Sequence, residues 1–258
     1  MKAMAQYRFV KTAVVIVTLG AVLQAQPASE HLRRADEAYA ARKSDEALLH
    51  LLRAIAMDPV HYEAQWKAAR TEVDLAERAG RSTNKRLLDS AEQHAQAAIR
   101  LHPDWAEGHI ALARALARRA KGAGYRERGR LADVIHDEAV AALQADPQHS
   151  GAMHALGLWH AELMRLNGMS RRFAMWFLGS DLFASANWDD AQQLLEDAAR
   201  VDPGRIIHRL ELAGIYADRG DKARAREIYM SIASAPLVDP NDDLYKRQAA
   251  ERLERLGS

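Results

Sequence analysis

The chain has 258 residues, of which 48% are hydrophobic and 28% are charged, and this composition excludes an intrinsically disordered protein. Its formal net charge of +1 argues against a dedicated nucleic-acid binder, which would carry a strong excess of basic residues. The absence of cysteine excludes thiolate catalysis, disulfide bonds and cysteine-ligated metal sites.

The N-terminal residues have the organisation of a secretory signal peptide. Basic residues come first (Lys2, Arg8 and Lys11), and the apolar run 12–23 follows them, ending shortly before the small residue Ala25. We therefore predict a signal peptide over 1–25 and a mature chain over 26–258 that is periplasmic or secreted. The alternative is an uncleaved membrane anchor, for which the run is short, because a membrane-spanning helix needs about 20 apolar residues.

A proline step recurs four times along the rest of the chain. Each time an alanine-rich segment ends in Asp-Pro or His-Pro and a new helical segment begins, at Pro59, Pro103, Pro147 and Pro203. The first two gaps are each 44 residues long and the third is 56 residues long. Self-similarity at such a period is typical of an α-solenoid, in which stacked helical pairs present a long curved binding surface.

The proline steps divide the chain into about five helical pairs and a closing helix, so the predicted fold class is all-α. The predicted pairs cover 31–58, 60–102, 104–146, 149–202 and 205–234, and the closing helix covers 241–256. These helices follow one another without any strand signal between them. The whole of 26–258 is therefore predicted to be one solenoid.

The fourth pair is longer than the others because it contains an aromatic insertion, residues 168–186. Three of the chain's four phenylalanines lie there, and residues 173–178 are apolar without interruption. A helix that is apolar on all sides must be covered on all sides. We predict that the insertion fills the core between pairs four and five, and the alternative is a contact element for a lipid or a partner.

The fifth pair carries a specific set of small and aromatic residues within 212–229. Ala213 is followed by Tyr216, by Gly220 at the end of the first helix and by Ala225 in the second helix. Gly220 suits the position after a helix C-terminus, and Asp221 suits the N-cap of the next helix. The pattern matches the tetratricopeptide consensus. One pair earlier, Gly157 occupies the equivalent small-residue position.

Beyond this generic repeat, four stretches resemble the regulator-of-microtubule-dynamics proteins. They are QWKAARTEVDLAE, HALGLWHAELMRLNGMSRRFAMWFLGS, NWDDAQQLLEDAARVDP and LELAGIYADRGDKARAREIY, and the likeness extends over roughly 60–256. The resemblance implies an all-helical tetratricopeptide domain without enzymatic activity. It also implies relatives linked to microtubules, and in some cases to membrane contact sites and phospholipid binding. The secretory-type N-terminus departs from the eukaryotic pattern and predicts an exported bacterial relative.

Motifs for catalysis, metals and cofactors are missing from the sequence. No two of the eleven histidines are three or four residues apart, although a helix presents a pair of metal ligands on one face only at those spacings. The nucleophile-elbow, Walker and dinucleotide motifs are also absent. The sequence therefore predicts a binding protein with no cofactor and no metal, and not an enzyme.

Two sets of residues are candidates for binding. A concave groove lined by the first helices would bind a protein or peptide partner through Arg70, Arg114, His154, Leu158 and Leu210. The alternative is an anionic phospholipid bound at an edge where the loops inside pairs are rich in basic residues, together with the aromatic insertion. Its candidate residues are Arg118, Arg119, Arg126, Arg128, Arg165, Arg171, Arg172, Phe173, Trp176 and Phe177.

Overall fold

The structure is a computed structural model, and it describes residues 28–166 and 182–257. Within these ranges the chain is built from helices and contains no strand. The predicted signal peptide 1–25 lies outside the described residues. So does most of the aromatic insertion, up to residue 181.

The helices follow one another in pairs joined by short loops. Their bounds are α1 28–40, α2 Ser44–Met57, α3 Tyr62–Arg78, α4 Arg81–Leu101, α5 Ala106–Ala120, α6 Tyr125–Ala145, α7 Ser150–Arg165, α8 Trp188–Val201, α9 Ile206–Asp218, α10 Lys222–Ala233 and α11 Asp242–Gly257. A single helical turn, Leu182–Ser185, precedes α8. The five predicted pairs and the closing helix are confirmed, with their ends shifted by only a few residues.

Each proline step forms the same tight turn between one pair and the next. The residue before the proline ends a helix, and its carbonyl accepts a hydrogen bond from the backbone N–H three residues on. Proline suits the second position of such a turn and cannot continue a helix. The four bonds join His61 to Asp58, Trp105 to His102, His149 to Asp146 and Arg205 to Asp202, at 3.1–3.3 Å.

Alanine explains how closely the pairs pack. Ala54, Ala98, Ala142 and Ala198 each lie four residues before one of these turns, and none has any exposed surface. A side chain as small as alanine lets two helix backbones approach each other closely, and its burial costs no side-chain conformational entropy. The repeated alanines therefore set the spacing of the solenoid.

The turn between α9 and α10 has the predicted caps. Gly220 has a φ of +87°, in the left-handed region that favours glycine, and its N–H bonds to the carbonyl of Ala217. The Asp221 side chain accepts a hydrogen bond from the N–H of Arg224 at 3.1 Å. Ala213 and Ala225, which flank this turn, are both fully buried.

Gly157 lies where α7 packs closely against α8. A β-carbon at this position would lie 3.1 Å from Leu195 Cγ and 3.2 Å from the carbonyl oxygen of Ala191. We expect Gly157→Leu to lower the free energy of unfolding by about 1–3 kcal/mol, because overpacking a helix contact strains it. Urea unfolding followed by circular dichroism measures this change.

A matched variant serves as the control for that measurement. Gly122 lies in a turn, and the nearest atom to an added β-carbon there is 3.8 Å away. Gly122→Leu should change stability by less than about 0.5 kcal/mol. Equal stability of the Gly157 and Gly122 variants would contradict the assigned packing of α7 on α8.

A concave cavity as candidate binding site

The first helices of pairs two to five and the closing helix surround one large cavity. Residues of α3, α5, α7, α9 and α11 make up most of its lining, α6 contributes to it as well, and its volume is about 1220 Å³. Pockets that hold drug-sized ligands are usually about 300–1000 Å³. The cavity is therefore large enough for more than a small molecule.

Four of the five predicted groove residues lie at this cavity. Arg70, Arg114, His154 and Leu158 all line it, as expected from their places on the first helices. The prediction for Leu210 is wrong, because its side chain is 0% exposed and packs in the core with Tyr245 and Ala249. The closing helix covers α9 at this point.

The cavity wall combines apolar and charged side chains. Trp66, Ile110, Leu158, Trp159 and Ile207 contribute apolar surface from four different helices. Trp159 is itself fixed, because its indole N–H donates to the carbonyl of Ala132 at 2.8 Å. A wall of this kind can hold apolar side chains while charged groups fix their orientation.

A buried carboxylate organises one end of the cavity. Asp74 on α3 is 4% exposed, and its two oxygens accept hydrogen bonds from Tyr39 Oη and from Arg114 Nη2, each at 2.8 Å. Burial and the neighbouring Asp74 charge raise the pKa of Tyr39 well above its usual range, so its hydroxyl remains a donor. The three groups join α1, α3 and α5.

The segment that leads into the closing helix forms another part of the wall. We call residues 238–245 the closing segment. Arg205 donates to Asp239 at 2.8 Å, and Asn241 Nδ2 donates to the carbonyl of Asp74 at 3.0 Å. Tyr245 Oη donates to Glu77 at 2.7 Å. The segment therefore bridges α9, at one end of the array, and α3, near the other.

Arg78 completes this bridge from the side of α3. Its guanidinium donates to Asn241 Oδ1 at 2.5 Å and to the carbonyl of Pro240 at 2.7 Å, and it pairs with Asp243. Asn241 is almost fully buried by these contacts. The last repeat is thus tied to the second pair by polar groups.

The sequence contains a signal for the closing segment that our prediction did not use. Val238-Asp239-Pro240 repeats the form of Val201-Asp202-Pro203, and its turn has the same bond, from Asp242 N–H to the Asp239 carbonyl at 3.2 Å. It is a fifth proline step. The helix after such a step faces the cavity, so α11 occupies the place of a sixth first helix.

Two histidines meet at the cavity wall across α7 and α9. His154 Nδ1 and His208 Nδ1 are 3.0 Å apart, so one neutral ring donates to the other. Burial is the main reason why the pKa of His154 is lowered to about 3 and that of His208 to about 2, and the charges of Arg205 and Arg114 contribute to both. The pair is therefore uncharged at neutral pH.

The family model described as regulator of microtubule dynamics protein 1-3 matches residues 31–257. The chain belongs to this family. Its fold is similar to that of a thermophilic TPR (tetratricopeptide) protein from Thermus thermophilus, with 21% identity, a TM-score of 0.64 and coverage of 88% of this chain and 99% of that chain. The Pseudomonas aeruginosa protein pilF is also similar, with 15% identity, a TM-score of 0.52 and coverage of 90% and 93%. No curated protein matches the chain.

In this member of the regulator-of-microtubule-dynamics family, each described arginine of the predicted lipid edge already interacts with other groups of the chain. Arg118 pairs with Glu77, Arg119 with Asp89 and Glu92, and Arg165 with Glu162 and Asp218. Arg128 donates to the carbonyls of Ala120 and Ala123, and Arg126 is exposed and also in contact with other groups. Much of the positive charge expected at this edge is therefore neutralised.

The rest of the predicted edge lies in the aromatic insertion. Arg171, Arg172, Phe173, Trp176 and Phe177 are all outside the described residues. Phe183, at the end of the insertion, is 1% exposed and packs 6.4 Å from Trp159, measured between ring centroids. Phe183 therefore fills the core, but it packs in the cluster formed by pairs two to four and not, as predicted, between pairs four and five.

Neither a metal centre nor a membrane-spanning helix is found in the described part of this family member. Over 28–166 and 182–257, no group of three or more His, Cys, Asp or Glu side chains could hold a metal ion. None of the helices in the same ranges is long and apolar enough to cross a membrane.

Proposed function

We propose that this protein is a non-enzymatic scaffold that binds a segment of a protein or peptide in the concave cavity. The observation that carries the proposal is one large cavity, walled mainly by four first helices and the closing helix, whose lining combines apolar and charged side chains. Helical repeat proteins use extended concave surfaces of this kind for binding.

The pairing of the polar and charged residues in the wall favours ligand binding over catalysis. Asp74 is engaged by Tyr39 and Arg114, Arg205 is engaged by Asp239, and His154 is engaged by His208. General acid–base catalysis needs a group whose pKa lies near the operating pH. The pKa values of the histidine pair lie far below neutral pH, so this pair is not suited to transfer protons there.

Peptide binding through the cavity can be tested with an array of random peptides. Labelled full-length protein should bind a subset of the peptides, and Leu158→Glu, which places a charge on the apolar wall, should abolish most of that binding. Met230→Glu is the matched control, because Met230 is 59% exposed and lies outside the cavity. Far-UV circular dichroism should show that both variants are folded. Binding that the two variants change equally would overturn the proposal.

We also propose that the chain is exported to the bacterial cell envelope. The proposal rests on the basic N-terminus and on the short apolar run 12–23 that precedes Ala25. N-terminal sequencing of the protein isolated from an envelope fraction should begin near Gln26. Recovery of an unprocessed chain from the cytosol would contradict export.

A further inference from the structure

Eight arginines line the cavity, and among the described residues six of them pair with a carboxylate. The six are Arg114, Arg118, Arg165, Arg205, Arg252 and Arg255. Arg128 instead donates to two backbone carbonyls. Arg70 has neither kind of partner in the described part of the chain, which sets it apart from the other arginines of the cavity.

Aromatic rings hold the Arg70 guanidinium in place. Its central carbon lies 3.8 Å from the ring centroid of Tyr39 and 5.1 Å from that of Trp66. The Nε atom of Arg70 is buried and has no hydrogen-bond partner among the described residues. Contact with a ring face leaves the edge of a guanidinium, with its N–H donors, free for another group.

The acidic residue one turn along α3 does not serve Arg70. The oxygens of Asp74 accept hydrogen bonds from Tyr39 and Arg114, and among the described residues no ion pair joins Asp74 to Arg70. A half-buried cation without a counterion is unfavourable, and the group that best matches a guanidinium edge is a carboxylate or a phosphate. The geometry at Arg70 is therefore that of a site for an anion supplied by a ligand.

The chain itself indicates which kind of ligand fits this face. Its closing segment is acidic and docks through arginines, with Asp239 bound by Arg205 and Asp243 bound by Arg78. Asn241, between them, donates to the carbonyl of Asp74, which lies one turn from Arg70. The cavity wall thus already binds one carboxylate of an acidic stretch of polypeptide, at Arg205, and the same stretch contacts α3 one turn from Arg70.

We propose that the cavity binds an acidic peptide segment and that a carboxylate of this segment pairs with Arg70. The inference rests on the proposed function and names the chemistry of its partner. Arg70 is the specificity residue, and the apolar wall formed by Trp66 and Leu158 receives neighbouring side chains.

Fluorescence anisotropy with two matched probes tests the pairing. The probes are fluorescein-labelled peptides of repeated Leu-Asp-Ser and of repeated Leu-Asn-Ser. Full-length protein should bind the Asp peptide and bind the Asn peptide much more weakly. Arg70→Gln should weaken binding of the Asp peptide by about tenfold or more, which is the usual effect of losing a charge-assisted hydrogen bond. Arg70→Lys should also weaken it, because lysine cannot form the two parallel bonds of a guanidinium.

The control is Arg255→Gln, which removes the same charge from the same cavity. Arg255 pairs with Glu251 at 3.6 Å, so its loss should leave the affinity for the Asp peptide nearly unchanged. Equal weakening by Arg70→Gln and Arg255→Gln would mean diffuse electrostatic attraction and would overturn the proposal. Full affinity of Arg70→Gln would overturn it as well.

Two further outcomes separate this inference from the proposed function. If arrayed peptides bind in a Leu158-dependent way without a preference for acidic sequences, the inference fails and the scaffold proposal stands. If vesicles containing phosphatidic acid bind in an Arg70-dependent way while the Asp peptide does not, the anion is a lipid phosphate and the acidic-peptide proposal is wrong.

Discussion

Lowering the pH from 7 to 5 is expected to reduce the free energy of unfolding by about 2–4 kcal/mol, through His154 and His208. In the folded protein their pKa values are lowered to about 3 and about 2 from an ordinary value of 6.5. Below pH 6.5 the unfolded chain therefore binds protons that the folded chain does not. Stability from this pair is complete above pH 6.5 and is lost progressively as the pH falls toward 3.

Urea unfolding at a series of pH values measures this loss. In a variant carrying both His154→Leu and His208→Leu, the slope of stability against pH between 7 and 5 should become much shallower. His136→Leu removes a histidine outside the cavity, next to Asp137, and should keep most of the dependence. An unchanged slope in the double variant would show that the His154–His208 pair is not the source of the pH dependence of stability.

Asp74→Ala is expected to destabilise the protein by about 3–5 kcal/mol. The substitution removes the acceptor of two hydrogen bonds and leaves Arg114 largely buried without its carboxylate. Breaking a buried ion pair by removing one partner costs about this much, because the remaining charge is uncompensated. Thermal and urea unfolding of the variant, compared with the unmodified chain, give the value.

The chain offers a matched control for this substitution. Asp36 pairs with Lys67 at 2.9 Å, but its side chain is half-exposed, so Asp36→Ala should cost at most about 1 kcal/mol. A similar small loss for Asp74→Ala would mean that water reaches Arg114 and replaces the carboxylate.

The pairs of helices could be predicted because their signals are local. At each of the four predicted steps an Asp-Pro or His-Pro pair ends a helix, and the alanine four residues before the Asp or His marks the buried face. Gly220 was predictable in the same way, because the residue just after a helix C-terminus often adopts a left-handed backbone conformation that favours glycine. Signals of this kind depend on residues within one or two turns.

The cavity could be predicted only in part, because its walls come from distant residues. Repeat register placed Arg70, Arg114 and His154 on the inner face correctly, yet the same register misplaced Leu210, which α11 covers. Nothing within a few residues of Arg78 or Asn241 indicates that they meet across more than 160 positions. Likewise, no local signal indicates that the Arg70 guanidinium lies against the rings of Tyr39 and Trp66 and not against a carboxylate.

The closing segment changes how this array is expected to fold. In an open repeat protein each unit contacts only its neighbours, so units can unfold one at a time from either end. Here the bonds from Arg78 to Asn241 and from Tyr245 to Glu77 connect the second pair directly to the last helix. These hydrogen bonds are long-range contacts between residues that lie far apart in the sequence. During synthesis the early helices can pack against each other first, but these long-range bonds form only after α11 has left the ribosome. Because they connect distant pairs, we expect the folded domain to unfold as one unit.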